Sequence, residues 1–184
     1  MYVWQVCLNG TLIMGRTWCE FSQFLQNCEK YIPDGARLVM YIHNAANEFQ
    51  FLRNIYNFSE DDVFAVKSRR PVRFDIGRIE FRCSYFLTNM SLREFFQKMK
   101  VPVQKTELDY RVQRYPWTPL TDTELQYCAA DVIGLWQALK KQMQLDGDTL
   151  TTIPISSTGY VRRDFKRAMH SYNKYLKVIQ PEYD

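Results

Sequence analysis

The chain begins with short, mostly apolar segments of the kind that predicts β-strands. Two such segments, residues 2–8 and 11–15, flank Asn9-Gly10, a dipeptide favoured in tight hairpin turns. We therefore expect the chain to begin with an antiparallel hairpin.

The spacing then changes to three or four residues, which predicts an amphipathic helix. Pro33 and Gly35 should end this helix, because neither residue suits a helix interior. A nearly continuous apolar run at residues 38–42 predicts a strand buried on both faces, and a second helix is expected at 48–56. The apolar positions of the first helix are Phe21, Phe24, Leu25, Cys28 and Ile32.

Hydrophobic and polar residues alternate at residues 63–86, where breaks at Arg70-Pro71 and Gly77 predict two or three antiparallel strands. A short amphipathic helix should follow at residues 91–100. Residues 101–119 have no regular pattern.

The last third of the chain is predicted to be helical. The longest helix should extend from residue 121 to about 144, and a basic helix is expected at 161–178. We assign residues 1–148 to one domain, and 149–184 to a linker and a basic helix. Because strands and helices alternate, the fold class is α/β, and the tight hairpin makes the sheet mixed.

Composition narrows the classes of protein to consider. With 46% hydrophobic residues the chain can form a packed core, and its net charge of +4 fits a polyanionic partner without requiring one. Five cysteines without a Cys-x-x-Cys pair, and only two histidines, argue against a zinc site and favour a reducing, cytoplasmic location. No apolar run reaches membrane-spanning length, and the N-terminus does not resemble a signal peptide.

The longest predicted helix carries acids with two possible roles. Asp122 and Glu124 have the Asp-x-Glu spacing of many two-metal nucleases, but Thr121 and Glu124 also form a capping box, which is the favoured interpretation. Asp131 borders the apolar face of this helix, one turn after Tyr127. Since a carboxylate there needs a partner, Asp131 is either paired with an arginine or a metal ligand.

Glu48 is a second candidate, because it opens a helix directly after the predicted buried strand. Ligands collect at the carboxyl ends of strands in α/β sheets, and His43-Asn44 occupy that position. The alternative is that Glu48 complements the helix dipole, with Asn44 or Asn47 as the cap.

Two other segments look ordinary when taken alone. Ser91 caps a helix that has Leu92 and Phe95 on its apolar face, and Lys105 stands among acids in an irregular segment. A cap, a core residue and a solvated lysine are sufficient explanations for them.

Taken together and in order, these residues resemble the 3′–5′ proofreading exonuclease domain of family B DNA polymerases. The likeness is strongest to the protein-primed branch of bacteriophages and linear plasmids. Asn44 to Glu48 matches the second exonuclease motif, although Asp is more usual at the acidic position. Tyr127 to Asp131 matches the third motif, Tyr-x-x-x-Asp.

Two further elements of the same family are also matched. The single-strand contact motif corresponds to Ser91, Leu92 and Phe95, and the catalytic lysine upstream of the third motif corresponds to Lys105. The resemblance covers residues 2–145.

The resemblance implies a ribonuclease H-like fold and two-metal phosphodiester hydrolysis, with Mg²⁺ or Mn²⁺ ions roughly 4 Å apart. Glu48 and Asp131 would be metal ligands. Tyr127 would orient the attacking water, and Lys105 would stabilise charge on the phosphate.

The implied substrate is the 3′ end of single-stranded DNA. Asn44, Ser91 and Leu92 would hold it, with Phe95 lying either under a base or in the core. Arg162 and Arg163, in the basic helix, would contact phosphate or simply form a solvated charged face. The polymerase domain of a full-length protein is a further expected partner, and no membrane partner is expected.

One motif of the family is not present in this chain. The first motif, Asp-x-Glu on the first strand, should lie just before residue 2, and no polymerase motifs follow residue 163. We therefore expect a fragment with weak metal binding and negligible exonuclease activity by itself. Because that strand is central to the sheet, the strands at 2–8 and 38–42 should lose their shared neighbour and expose edges prone to self-association.

Two alternatives remain at this point. In the first, the chain is a catalytically dead module with a ribonuclease H-like fold that binds single-stranded nucleic acid. In the second, it shares only the ribonuclease H-like scaffold with the polymerase family, since fold does not fix function.

Overall fold

The computed structural model describes residues 3–102, 109 and 111–171, and all structural statements concern these residues. The strands are β1 Trp4–Leu8, β2 Thr11–Gly15, β3 Leu38–Ile42, β4 Val63–Lys67, β5 Arg70–Ile76 and β6 Ile79–Cys83. The helices are α1 Trp18–Lys30, α2 Ala46–Leu52, α3 Ser84–Thr88, α4 Leu92–Met99, α5 Asp122–Asp146 and α6 Ser157–Ser171.

The N-terminal hairpin is confirmed. Strands β1 and β2 pair antiparallel, with Trp4 opposite Gly15. Asn9 and Gly10 have φ angles of 48° and 89°, and positive φ at both turn residues is what a tight two-residue hairpin requires.

The second sheet has four strands in the order β3-β6-β5-β4. β3 and β6 are parallel, whereas β6, β5 and β4 are joined antiparallel, so the predicted mixed sheet is confirmed. Gly77 turns the chain between β5 and β6 with φ 57°. Arg70 and Pro71 belong to β5 instead of forming the predicted break, and Arg69, with φ 62°, lies in the turn before them.

The helices agree with the predictions except at some ends. α1 stops at Lys30, before Ile32, and α2 begins two residues before Glu48 and ends at Leu52. The helix α3 was not predicted. Capping boxes begin α4 and α5, as the sequence indicated.

The hairpin and the four-stranded sheet are separate. Within the described residues, β1 pairs with β2 and β3 pairs with β6, so β1 and β3 are not neighbours. The predicted loss of a shared neighbouring strand and the self-association of the exposed edges stay predictions.

Two apolar clusters lie on opposite faces of the four-stranded sheet. The first fills the space between the sheet and helices α1 and α2, and Phe74 and Ile79 in it are fully buried. The second joins α3, α4 and α5, and Tyr41 of β3 packs against it from the other face of the sheet. The α4–α5 contact is close, because a Cβ at Gly134 would lie 2.5 Å from the Phe96 ring.

The residues that follow α5 pack against the second cluster and α3. Ile153 is 3% exposed within the second cluster, and the Asn89 side chain donates a hydrogen bond of 2.8 Å to Ser157 Oγ. The domain boundary at residue 148 stays a prediction. Among the described residues no helix is both long and apolar enough to cross a lipid bilayer.

Candidate nucleic-acid interface

The carboxyl ends of β3 and β6 lie side by side, because the two strands are parallel with Ile42 opposite Cys83. His43 Nδ1 and Ser84 Oγ share a hydrogen bond of 3.0 Å, and the Ala45 N–H donates to Cys83 Sγ at 3.4 Å. The chain therefore enters both α2 and α3 from one edge of the sheet. His43 and Ser84 were not singled out as a pair from the sequence, since only parallel pairing across some forty residues brings them together.

Asn44 and Glu48 lie at this edge. Asn44 is exposed and has φ 59°, and it does not cap α2, whose N-cap is Ala45 without a side-chain hydrogen bond. Capping by Asn44 or Asn47 is therefore wrong. Glu48 occupies the first turn of α2, where the helix dipole favours an anion.

The environment of Glu48 nevertheless disfavours its charge. Its side chain remains open to solvent, but the surrounding protein partly desolvates it and raises the pKa of the carboxyl. An accessible acid held at a raised pKa beside a sheet edge is typical of a ligand-binding position.

The raised pKa predicts a pH-dependent gain in stability for Glu48→Gln. In the parent, stability falls as the pH rises from the ordinary glutamate value of 4.5 through the raised pKa of the folded state, because folding then holds an ionised carboxylate in poor solvation. Glutamine carries no such cost, so Glu48→Gln should melt at a higher temperature than the parent near neutral pH. The difference should disappear below about pH 4, where both states are protonated.

Thermal melts across this pH range test the point, with Glu60→Gln as the control on an exposed loop position. A lower melting temperature for Glu48→Gln at neutral pH would show that the carboxylate has a stabilising partner.

Tyr127 and Asp131 lie on one face of α5, one turn apart. Tyr127 is 9% exposed and Asp131 is half-buried. Leu135, one turn further, belongs to the second cluster, against which Tyr41 of β3 packs. Asp131 therefore lies on a helix of the second cluster, whereas Glu48 lies on α2, whose Leu52 belongs to the first.

The acids at the start of α5 form a cap. Thr121 Oγ1 accepts a hydrogen bond from the Glu124 N–H at 3.3 Å, and the Glu124 carboxylate accepts from the Thr121 N–H at 2.8 Å. Arg114 forms an ion pair with Glu124. The Thr121 backbone and Arg114 lower the pKa of Glu124 to about 2. The predicted capping box of Thr121 and Glu124 is confirmed, and Asp122 lies beside it in the first turn.

The candidate metal ligands supply only part of the negative charge that a pair of divalent ions needs. Among the described residues there is no group of three or more His, Cys, Asp or Glu side chains that could hold a metal ion. Glu48 and Asp131 are two carboxylates, and two negative charges do not neutralise two divalent cations.

The residues predicted to contact single-stranded DNA differ in how far they are exposed to solvent. Ser91 is exposed and caps α4, accepting from the Glu94 N–H at 3.3 Å, and Leu92 is half-buried. Phe95 is 0% exposed, so in this structure it has the core role, and a base cannot reach its ring. Lys105 lies outside the described residues.

The two arginines of α6 also differ. Arg163 forms an ion pair with Asp148, and its guanidinium carbon lies 4.7 Å from the centroid of the Tyr160 ring. Arg163 is therefore engaged by Asp148 and Tyr160 in this structure, and its contact with phosphate stays a prediction. Arg162 is exposed and remains a candidate.

No protein-family model matches this chain, and no curated protein matches it. Solved structures do. A ternary complex of phi29 DNA polymerase with primer-template DNA and incoming nucleotide substrates aligns with a TM-score of 0.68 and 16% identity, over 86% of this chain and 29% of that chain. The chain shares the fold of a segment of phi29 DNA polymerase.

The likeness recurs in other complexes of that enzyme. Phi29 DNA polymerase complexed with single-stranded DNA aligns with a TM-score of 0.61 and 19% identity, over 76% of this chain and 27% of that chain. The post-translocation complex with primer-template DNA gives a TM-score of 0.60 over the same fractions of the two chains. This chain thus spans less than a third of the polymerase chains it matches, and at such identities the likeness shows the fold.

Proposed function

We propose that this chain corresponds to the 3′–5′ proofreading exonuclease domain of a protein-primed family B DNA polymerase, and that it binds the 3′ end of single-stranded DNA. One observation carries the proposal. The segment that shares a fold with phi29 DNA polymerase also carries Asn44–Glu48 after β3 and Tyr127–Asp131 on α5, the two motif pairs that the family resemblance requires.

The site chemistry supports binding more than hydrolysis by this chain alone. The exposed Asn44, Ser91 and Arg162 offer polar contacts to a strand, whereas Glu48 and Asp131 are too few for a two-metal centre. The second candidate, a catalytically inactive single-strand-binding module with this fold, is favoured by the same shortage of carboxylates among the described residues.

We expect the 184-residue chain to bind single-stranded DNA more tightly than a duplex of equal length, and to release no nucleotide from a 3′-labelled strand in Mg²⁺ or Mn²⁺. Fluorescence anisotropy measures the first and gel analysis the second. A parent that does not bind single strands would contradict the proposal. Turnover by the parent that Asp131→Ala abolishes would contradict the expected inactivity.

An N-terminal extension distinguishes the two candidates. If a strand carrying Asp-x-Glu is added before residue 2, the exonuclease proposal predicts 3′-terminal hydrolysis that an Ala-x-Ala control extension does not give. No hydrolysis with either extension would favour the inactive binding module.

A further inference from the structure

A tight turn precedes α5 and presents two aromatic rings. In Tyr115-Pro116-Trp117-Thr118 the Thr118 N–H donates to the Tyr115 carbonyl at 3.0 Å, and the Tyr115 N–H donates to Thr118 Oγ1 at 2.9 Å. Pro116 occupies the second position of the turn, where its fixed φ is favourable. These four residues are called the aromatic turn below.

Two arginines fix the aromatic turn to the body of the protein. Arg16, which follows β2, donates from Nη2 to the carbonyls of Tyr115 at 3.1 Å and Thr118 at 2.6 Å. Arg114 pairs with Glu124 in the first turn of α5, and their side chains are only 8% and 12% exposed. The aromatic turn is therefore held between the end of β2 and the start of α5.

The two rings are stacked but lie in water. The Tyr115 and Trp117 rings are parallel within 2°, with centroids 5.1 Å apart, and their residues are 43% and 77% exposed. Neither residue belongs to the two apolar clusters. A tryptophan this exposed adds little to the core, so the two arginines explain the position of the turn but not the exposed ring it carries.

We propose that the aromatic turn is a stacking platform for an unpaired nucleobase of single-stranded DNA. The inference rests on the proposed function, which it deepens by assigning a base-binding position. A base laid on the outer face of Trp117 would extend the existing pair into a three-ring stack, a contact that tolerates any base.

The geometry and charge around the aromatic turn favour this ligand. The backbone that carries the rings is held by hydrogen bonds before binding, which lowers the entropy cost of stacking. Arg111, exposed and four residues before Tyr115 along the chain, adds positive charge to this segment, and positive charge is typical of grooves that follow a nucleic-acid backbone. α5 rises about 14 Å from its first residue to Asp131, so one short strand spans the platform and the motif residues.

The test is single-strand affinity in Trp117→Ala. Loss of one base stack corresponds to about 1–3 kcal/mol, so affinity for a short oligonucleotide should fall roughly 5- to 150-fold, whereas Trp117→Phe should retain most of it. The dependence of affinity on salt should not change, because no phosphate contact is lost. Tyr31→Ala, at a residue 86% exposed in α1's C-cap, is the matched control and should bind like the parent.

Oligonucleotides with one abasic position complete the experiment. At the position that faces Trp117, removal of the base should weaken binding to the parent but not to Trp117→Ala. Equal binding of the parent and Trp117→Ala to an intact strand would overturn the platform alone and point to a protein-facing surface. A parent that binds no single strand would overturn both the platform and the proposed function.

Discussion

Replacing Phe95 by alanine should lower the free energy of unfolding by about 3–5 kcal/mol, because the ring is fully buried between α4 and α5 and its loss leaves a cavity. This is a large share of the roughly 5–15 kcal/mol that stabilises a domain. Urea denaturation measures the change. Phe165→Ala removes the same ring from a position that is 64% exposed, and it should shift stability by less than about 0.5 kcal/mol.

A second substitution at Phe95 distinguishes a core role for the ring from a contact with a DNA base. Phe95→Leu keeps most of the buried volume and should cost about 1 kcal/mol, while leaving single-strand affinity unchanged. If Phe95→Leu instead kept the stability of the parent and lost single-strand binding, the ring would have to leave the core when DNA binds.

The elements that the sequence predicted well are those with local signals. The Asn9-Gly10 turn and the capping boxes at Ser91 and Thr121 depend on side chains within a few residues of each other, so they can be recognised without the fold. The five-residue helix Ser84–Thr88 was missed because it is too short to show a period.

The helices and strands that carry the candidate residues were predictable from the sequence, but the surroundings of their side chains were not. The motif pairs lie on the elements expected for them, after β3 and on α5. Which side chains remain available to a ligand depends on tertiary contacts that no spacing reveals. Phe95 is buried by α5, and Arg163 is paired with Asp148, fifteen residues earlier.

The aromatic turn also could not be predicted from the sequence. Residues 101–119 have no periodic pattern, so the sequence predicted only irregular structure there. The turn is fixed by Arg16, about a hundred residues away, and a long-range contact between a side chain and backbone carbonyls leaves no local signature.

The second large effect is expected at Asp148, whose side chain is fully buried. It forms the ion pair with Arg163, accepts from Thr152 Oγ1 at 3.2 Å and lies 3.6 Å from Arg167. Removing one partner of a buried pair costs about 3–5 kcal/mol. Because the Arg163 side chain is 17% exposed and also contacts Asp164, we expect a smaller loss, about 2–4 kcal/mol, for Asp148→Ala.

The loss should begin locally. Asp148 joins the end of α5 to α6, so its removal should open α6 before the whole domain unfolds, and trypsin should cleave among the basic residues of α6 faster than in the parent. Asp164→Ala, which removes a carboxylate that is 63% exposed from the same arginine, is the matched control and should change stability by less than about 1 kcal/mol.

A double-mutant cycle with Arg163→Ala decides whether the pair itself is responsible. If Asp148 and Arg163 act through each other, the double variant should be less destabilised than the sum of the two single variants. Additive losses would mean that Asp148 stabilises the junction of α5 and α6 through Thr152 and Arg167. Arg163 would then again be available for the phosphate role that its position in a basic helix first indicated.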